Sequence, residues 1–180
     1  MAVHHLAFAT RDLAATDAFY REVMGFELVK AVAAPTPDGG WAKHVFYDTG
    51  DGSLIAFWDL HDPAIGDTWS PAISTGLGLP AWVNHLAFDA PSLADLDARK
   101  RRWLETGHDV MEVDHGFCRS VYTNDPNGIL VEFCSTTAPF TADDADVAAR
   151  VLAEPAPALE APPPASFHRA DRLAERPASG

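Results

Sequence analysis

The stretches HLAFATRDL at residues 5–13 and HLAFDAPSL at residues 85–93 decide the fold, because they are two copies of one opening eighty positions apart. In each, a four-residue apolar run beginning with histidine is followed by a capping residue, Asp12 or Ser92. Such residues hold the free N–H groups of a helix start. The helical segments that follow, DLAATDAFYREVMGF and SLADLDARKRRWLETG, have Leu13, Phe19, Tyr20 and Val23 on one face of the first. Leu93, Leu96, Trp103 and Leu104 share a face of the second. Gly25 and Gly107 stand where a left-handed helix end is expected.

Three strand-like runs follow each helix. FELVKAVA, WAKHVFYD and SLIAFWDL complete the first half; HDVMEVD, FCRSVYTN and ILVEFCST complete the second. DTGDG and NDPNG read as tight turns between the last two runs of each half. Each half is therefore strand, helix, then three strands, an internal repeat that predicts paired modules. The expected organisation is a first βαβββ module over 1–60, a turn-rich connection over 61–81, a second module over 82–137 and a remainder over 138–180. In that remainder TADDADVAARVLA predicts a short helix capped by Thr141 and Asp144 and ended by Pro155. Beyond it a Pro- and Ala-rich stretch is expected to be mobile.

The 180 residues are 47% apolar, which suits a globular chain. The net charge of −13 with no basic stripe argues against nucleic acid and anionic membrane as partners. No apolar run is long enough to span a bilayer, and the start MAVHHLAFAT has no signal-peptide pattern. Cys118 and Cys134 form no CxxC or zinc-finger spacing and are expected as packing residues. The expectation is a cytoplasmic protein with reduced thiols.

Strand alternation sets His5 and Ala7 on one face against Leu6 and Phe8, and His85 and Ala87 against Leu86 and Phe88. The apolar faces are expected to cover the helices. The other faces each carry an imidazole beside a small residue, as a pocket wall requires. In DPNGILVEFCS, Glu132 sits in an apolar strand where an unpaired charge is costly, and a cation is the simplest remedy. Two imidazoles and one carboxylate make the facial donor set of non-haem iron. His5, His85 and Glu132 are therefore expected to meet around one divalent metal.

The paired modules, with VHHLAFATRDLAATDAFYREVMGFEL, NHLAFDA and SVYTNDPNGILVEF, resemble the vicinal-oxygen-chelate superfamily over about residues 1–137. That superfamily includes glyoxalase I, fosfomycin-modifying transferases, methylmalonyl-CoA epimerase, bleomycin-binding proteins and extradiol dioxygenases. The resemblance implies an α+β fold in which the two modules form a cupped, barrel-like mixed sheet with helices outside. It places the metal ligands on His5, His85 and Glu132, with Fe(II) favoured and Mn(II) as the other choice. Family members pair modules within or between chains, which admits a homodimer.

Alignment of Gly52 with Gly128 puts Ala56 opposite Glu132, so the four-ligand pattern of glyoxalase I is incomplete. Tyr122 lies ten residues before Glu132, as in ring-cleaving members, and His115 in DHGFCRSVY resembles their acid–base histidine. An imidazole titrates near neutrality, which suits that role. The expected activity is dioxygenase cleavage of a catechol- or hydroquinone-like ring with O2. The alternatives are lyase, isomerase or glutathione/thiol transfer chemistry of the glyoxalase type, or non-catalytic small-molecule binding.

Overall fold

In the computed structural model, residues 3–170 are described. The first module contains β1 (His5–Thr10), α1 (Leu13–Ala18), a π-helical turn (Phe19–Val23), β2 (Glu27–Pro35), β3 (Trp41–Asp48) and β4 (Leu54–His61). After a 3-10 turn (Thr75–Leu77), the second contains β5 (His85–Asp89), α2 (Leu93–Glu105), β6 (Val110–Asp114), β7 (Cys118–Asn124) and β8 (Leu130–Thr136). Helix α3 (Ala142–Ala153) and strand β9 (Ala165–His168) follow. The fold is mixed α+β, with strands in two open sheets ordered β1-β4-β3-β2 and β5-β8-β7-β6-β9. Both βαβββ modules are present as expected.

The helix ends follow the local chemistry. Asp12 accepts from the Ala15 N–H and Ser92 from the Asp95 N–H. Thr141 and Asp144 form a reciprocal capping box. Gly25 and Gly107 have φ of 80° and 87°, the left-handed geometry that a β-carbon opposes. The π turn was not foreseen. It lengthens the step around the helix, so that consecutive Phe19 and Tyr20 are both buried, and Val23 and Met24 with them.

By Cα packing the chain divides into two compact units, Met1–Phe88 with Thr123–Glu132, and Asp89–Tyr122 with Phe133–Gly180. In the first unit the buried Tyr20 hydroxyl donates to Asp125, Asn127 Nδ2 donates to Thr16, and Phe26 packs edge-on against Phe88. The DPNG turn is thus tied to the first helix. The core of this unit is Tyr20, Met24, Tyr47, Ile55 and Phe57, with Tyr20 and Phe57 ring centroids 4.7 Å apart. The second unit centres on Leu96, Trp103, Val110 and Phe133. There the Trp103 and Phe133 rings lie 5.4 Å apart and the Arg99 guanidinium covers Phe133.

Two expectations about faces and one about the tail are corrected. Leu6 is 47% exposed rather than covered. β1 is an edge strand, and the aromatic residues of the first helical segment are spent over Tyr47 and Phe57 instead. Leu93, at the first position of α2, is also exposed, whereas Leu96 and Trp103 are buried. The tail contains order: Ala165–His168 pairs antiparallel with β6, where His168 and Lys100 both reach Glu112. Pro and Ala composition conceals a strand whose pairing partner lies more than fifty residues away. Residues 171–180, part of the expected mobile segment, lie outside the described residues.

Candidate metal-binding site

Glu132 stands near the start of β8 and is only 5% exposed. Its Oε2 lies 3.1 Å from His85 Nε2, across from β5 in strand order. The opposite nitrogen of that ring settles the chemistry of the pair. His85 Nδ1 is 3.1 Å from the Trp82 carbonyl oxygen. A carbonyl only accepts, so Nδ1 carries the proton. Nε2 of a neutral ring then presents a lone pair to a carboxylate that also only accepts. A second proton or a cation between them removes the conflict. An imidazole whose far nitrogen is anchored on a carbonyl is the usual arrangement of a metal-ligating histidine. Two donors at right angles, each about 2.1 Å from one cation, stand about 3.0 Å apart. The spacing and chemistry of His85 and Glu132 therefore fit two positions on a divalent metal.

His5 is placed elsewhere. Its Nδ1 is 2.8 Å from Nδ1 of the neighbouring His4. Among the described residues, no three His, Cys, Asp or Glu side chains are grouped as a metal-holding set. His85 and Glu132 are brought together; His5 does not join them.

What surrounds His5 follows from the register of the first sheet. Ala7 pairs with Ala56, and Ala56 with Phe46, while His44 pairs with Trp58. These residues occupy one face. The His5 ring lies 5.8 Å from Phe46 and 6.5 Å from His44, and Ala56 is fully buried. His44 stacks on Trp58 with centroids 3.7 Å apart and planes 12° from parallel. Burial, and then the neighbouring His5, pushes the His44 pKa down, which favours the neutral ring. Its Nε2 is buried with no hydrogen-bond partner. The sequence reading missed His44, since a histidine in an apolar strand carries no spacing signal.

In the second unit His115 and Tyr122 are brought together. His115 Nε2 lies 3.0 Å from the Tyr122 hydroxyl. Asp114, next to His115, is occupied by the Gly116 N–H and by Arg119 at 3.3 Å. Arg119 is thereby engaged by Asp114. Cys118 is buried, in keeping with a packing role, and Cys134 is half-buried. Trp103 is buried and Trp58 stacks on His44, whereas Trp82 and Trp41 are exposed.

Comparison with known proteins agrees with this architecture. A family model described as the glyoxalase/bleomycin resistance protein/dioxygenase superfamily matches residues 2–133. A glyoxylase/bleomycin resistance protein/dioxygenase domain from Frankia sp. EAN1pec is 19% identical, with a TM-score of 0.57 over 76% of this chain and 98% of that one. The fosfomycin resistance protein FosX from Mesorhizobium loti is 20% identical, with a TM-score of 0.50 over 76% and 92%. TnmS3, an antibiotic binding protein from Streptomyces sp. CB03234, is 18% identical, with a TM-score of 0.50 over 76% and 97%. At these identities the likeness is one of fold. The search of curated proteins returned no match. The repeated βαβββ modules, the paired His85 and Glu132 and the span of the family match agree: the chain belongs to the glyoxalase/bleomycin resistance protein/dioxygenase superfamily.

Proposed function

We propose that this protein is a metal-dependent dioxygenase of the vicinal-oxygen-chelate type, cleaving a catechol- or hydroquinone-like ring with O2. The observation that carries the metal is the His85 and Glu132 pair, two acceptors facing each other at 3.1 Å with the far imidazole nitrogen anchored on Trp82. Fe(II) or Mn(II) suits one carboxylate with two imidazoles. The ion, when bound, supplies Lewis acidity toward two vicinal oxygens and a redox path between the ring and dioxygen.

The third ligand is His5 of a second copy of the chain. Within one chain His5 turns toward His4, Phe46 and His44 rather than toward the pair. A homodimer in which two chains exchange these histidines completes two equivalent sites. The choice of ring cleavage rests on His115 and Tyr122, hydrogen-bonded at 3.0 Å. In this reading Tyr122 hydrogen-bonds the bound substrate, while the His115 imidazole takes a proton from a substrate hydroxyl and returns it to the product.

Subunit mixing tests the reading. The His5→Ala and Glu132→Ala homodimers are each expected to lack metal and oxygen uptake on catechols and hydroquinones. Refolded together, they form mixed dimers with one intact site, and metal and uptake return in part. Mixing that restores nothing, while each variant alone still dimerises, defeats the shared site. Metal without oxygen uptake, but with turnover of glutathione adducts under Ni(II) or Mn(II), assigns the protein to the lyase or transferase branch.

A further inference from the structure

We propose that a cavity at the far end of the first sheet is a second ligand site, one that takes a small zwitterion of the amino-acid type. The parallel register of β1 and β4 pairs His5 with Leu54 at one end and Thr10 with Asp59 at the other, roughly 16 Å further along the strands. At that second end Arg11 and the chain leaving β4 border a cavity of about 470 Å³, a size usual for small-molecule sites. Neither the His85 and Glu132 pair nor His115 and Tyr122 line it.

Two charged groups in the wall are fixed and incompletely used. Arg11 donates from Nε to the Trp69 carbonyl at 3.0 Å and from Nη2 to the Asp67 carbonyl at 2.7 Å, and its Cζ lies 4.3 Å from the centre of the Trp69 ring. Among the described residues it has no carboxylate partner, and its Nη1 has no hydrogen-bond partner. Asp59 is 9% exposed. Its Oδ2 lies 2.9 Å from His61 Nε2 and 3.8 Å from Lys43 Nζ, while its Oδ1 has no partner among the described residues. The His61 ring is itself held, stacked on Trp41 with centroids 3.8 Å apart. A carboxylate oxygen so nearly enclosed is costly to leave without a donor. The turn beside the cavity is ordered by its own bonds, Asp62 Oδ1 accepting from the Ala64 N–H and the Asp62 carbonyl from the Ile65 N–H.

The wall selects the ligand. Asp59, Asp62 and Asp67 repel a simple anion, and a simple cation leaves the Arg11 charge unanswered. A carboxylate for Arg11 Nη1 and an ammonium for Asp59 Oδ1, carried by one molecule, satisfy both through charge-assisted hydrogen bonds. Pro63 and Ile65 offer apolar surface to its side chain. The site stands independently of the metal reading.

The test is isothermal titration of the full-length protein with L-leucine, with 4-methylpentanoate, which keeps the carboxylate alone, and with isoamylamine, which keeps the ammonium alone. Leucine is expected to bind more tightly than either. Arg11→Gln is expected to raise the Kd for leucine about tenfold or more and to leave isoamylamine unaffected. Asp59→Asn is expected to raise it by a like factor and to leave 4-methylpentanoate unaffected. Ile65→Trp, which fills the cavity, is expected to abolish binding of leucine. Metal content stays at the wild-type level in every variant, so failure here and failure of the metal site are read separately. Half-ligands that give no heat beside a bound leucine support the need for both charges, and the variants then decide on leucine alone. Absence of leucine binding at millimolar concentration overturns the proposal. So does unchanged leucine affinity in a folded Arg11→Gln or Asp59→Asn variant, or equal loss of both half-ligands in one of them, the mark of a collapsed loop. Binding of glucose without leucine makes the cavity a polyol pocket and overturns the charged recognition.

Discussion

At the scale of single residues, the proposed function rests on two buried or half-buried groups brought face to face, Glu132 and His85. Glu132 is nearly enclosed, and the group facing it, His85 Nε2, is a lone pair in the neutral ring because Nδ1 is committed to Trp82. Glu132→Gln keeps the shape and removes the charge. Metal content, measured by element on protein purified without added ions, is expected to fall at least about tenfold. Unchanged content would mean that the pair is a buried ion pair and nothing more. Tyr122→Phe deletes the hydroxyl that His115 holds at 3.0 Å. Its metal content is expected to remain, while kcat for oxygen uptake drops by about 10²-fold. Both members of the His85 and Glu132 pair were singled out beforehand, His85 from its place in the repeat and Glu132 from a charge in an apolar strand. His44 was not singled out, since its stacking on Trp58 and the missing partner of Nε2 are created only by folded neighbours.

At the scale of elements, tight backbone approaches and paired edges carry the stability. Gly40 precedes β3, and a β-carbon there would stand 2.6 Å from the Asp62 Cα and nearer still to the His61 carbonyl. Backbone cannot yield as a side chain can. Gly40→Ala is expected to destabilise by roughly 1–3 kcal/mol, read as a lowered melting temperature. Strand β9 is joined to α2 and β6 through Glu112, which receives Lys100 at 2.9 Å and His168 at 3.0 Å. Burial alone would raise the Glu112 pKa, but the hydrogen bonds and charges of Lys100 and then His168 outweigh it and hold the pKa below 4.5. A depressed carboxyl stabilises the fold above the unfolded pKa and loses that contribution as pH falls through the folded one. Glu112→Gln is thus expected to lower the melting temperature by about 2–4 °C at pH 7, for a loss of roughly 1 kcal/mol. The difference from wild type should shrink below about pH 4.5. A difference independent of pH would exclude the charge as its source. The element types were well anticipated where a period of 2 or 3.6 ran for several residues. The π turn and β9 escaped, since one is a local change of pitch and the other depends on a distant edge.

At the scale of the whole molecule, the repeat already contained the architecture. Duplicate openings, caps Asp12 and Ser92, and glycines at 25 and 107 each act through neighbours a few residues away, so the sequence by itself determined two βαβββ modules and the strands that carry the histidines. If two chains share each metal site, sedimentation of the wild type at micromolar concentration should give a dimer of 19.4 kDa protomers. A monomer retaining full metal content would contradict this. Only the tertiary structure decided that His85 meets Glu132, that His5 lies 6.5 Å from His44, and that Asp125 ties the second module's turn to Tyr20. The physical reason is range. Propensity and capping are settled by adjacent residues, whereas a ligand pair or an unpaired nitrogen depends on register and packing between segments far apart in the chain.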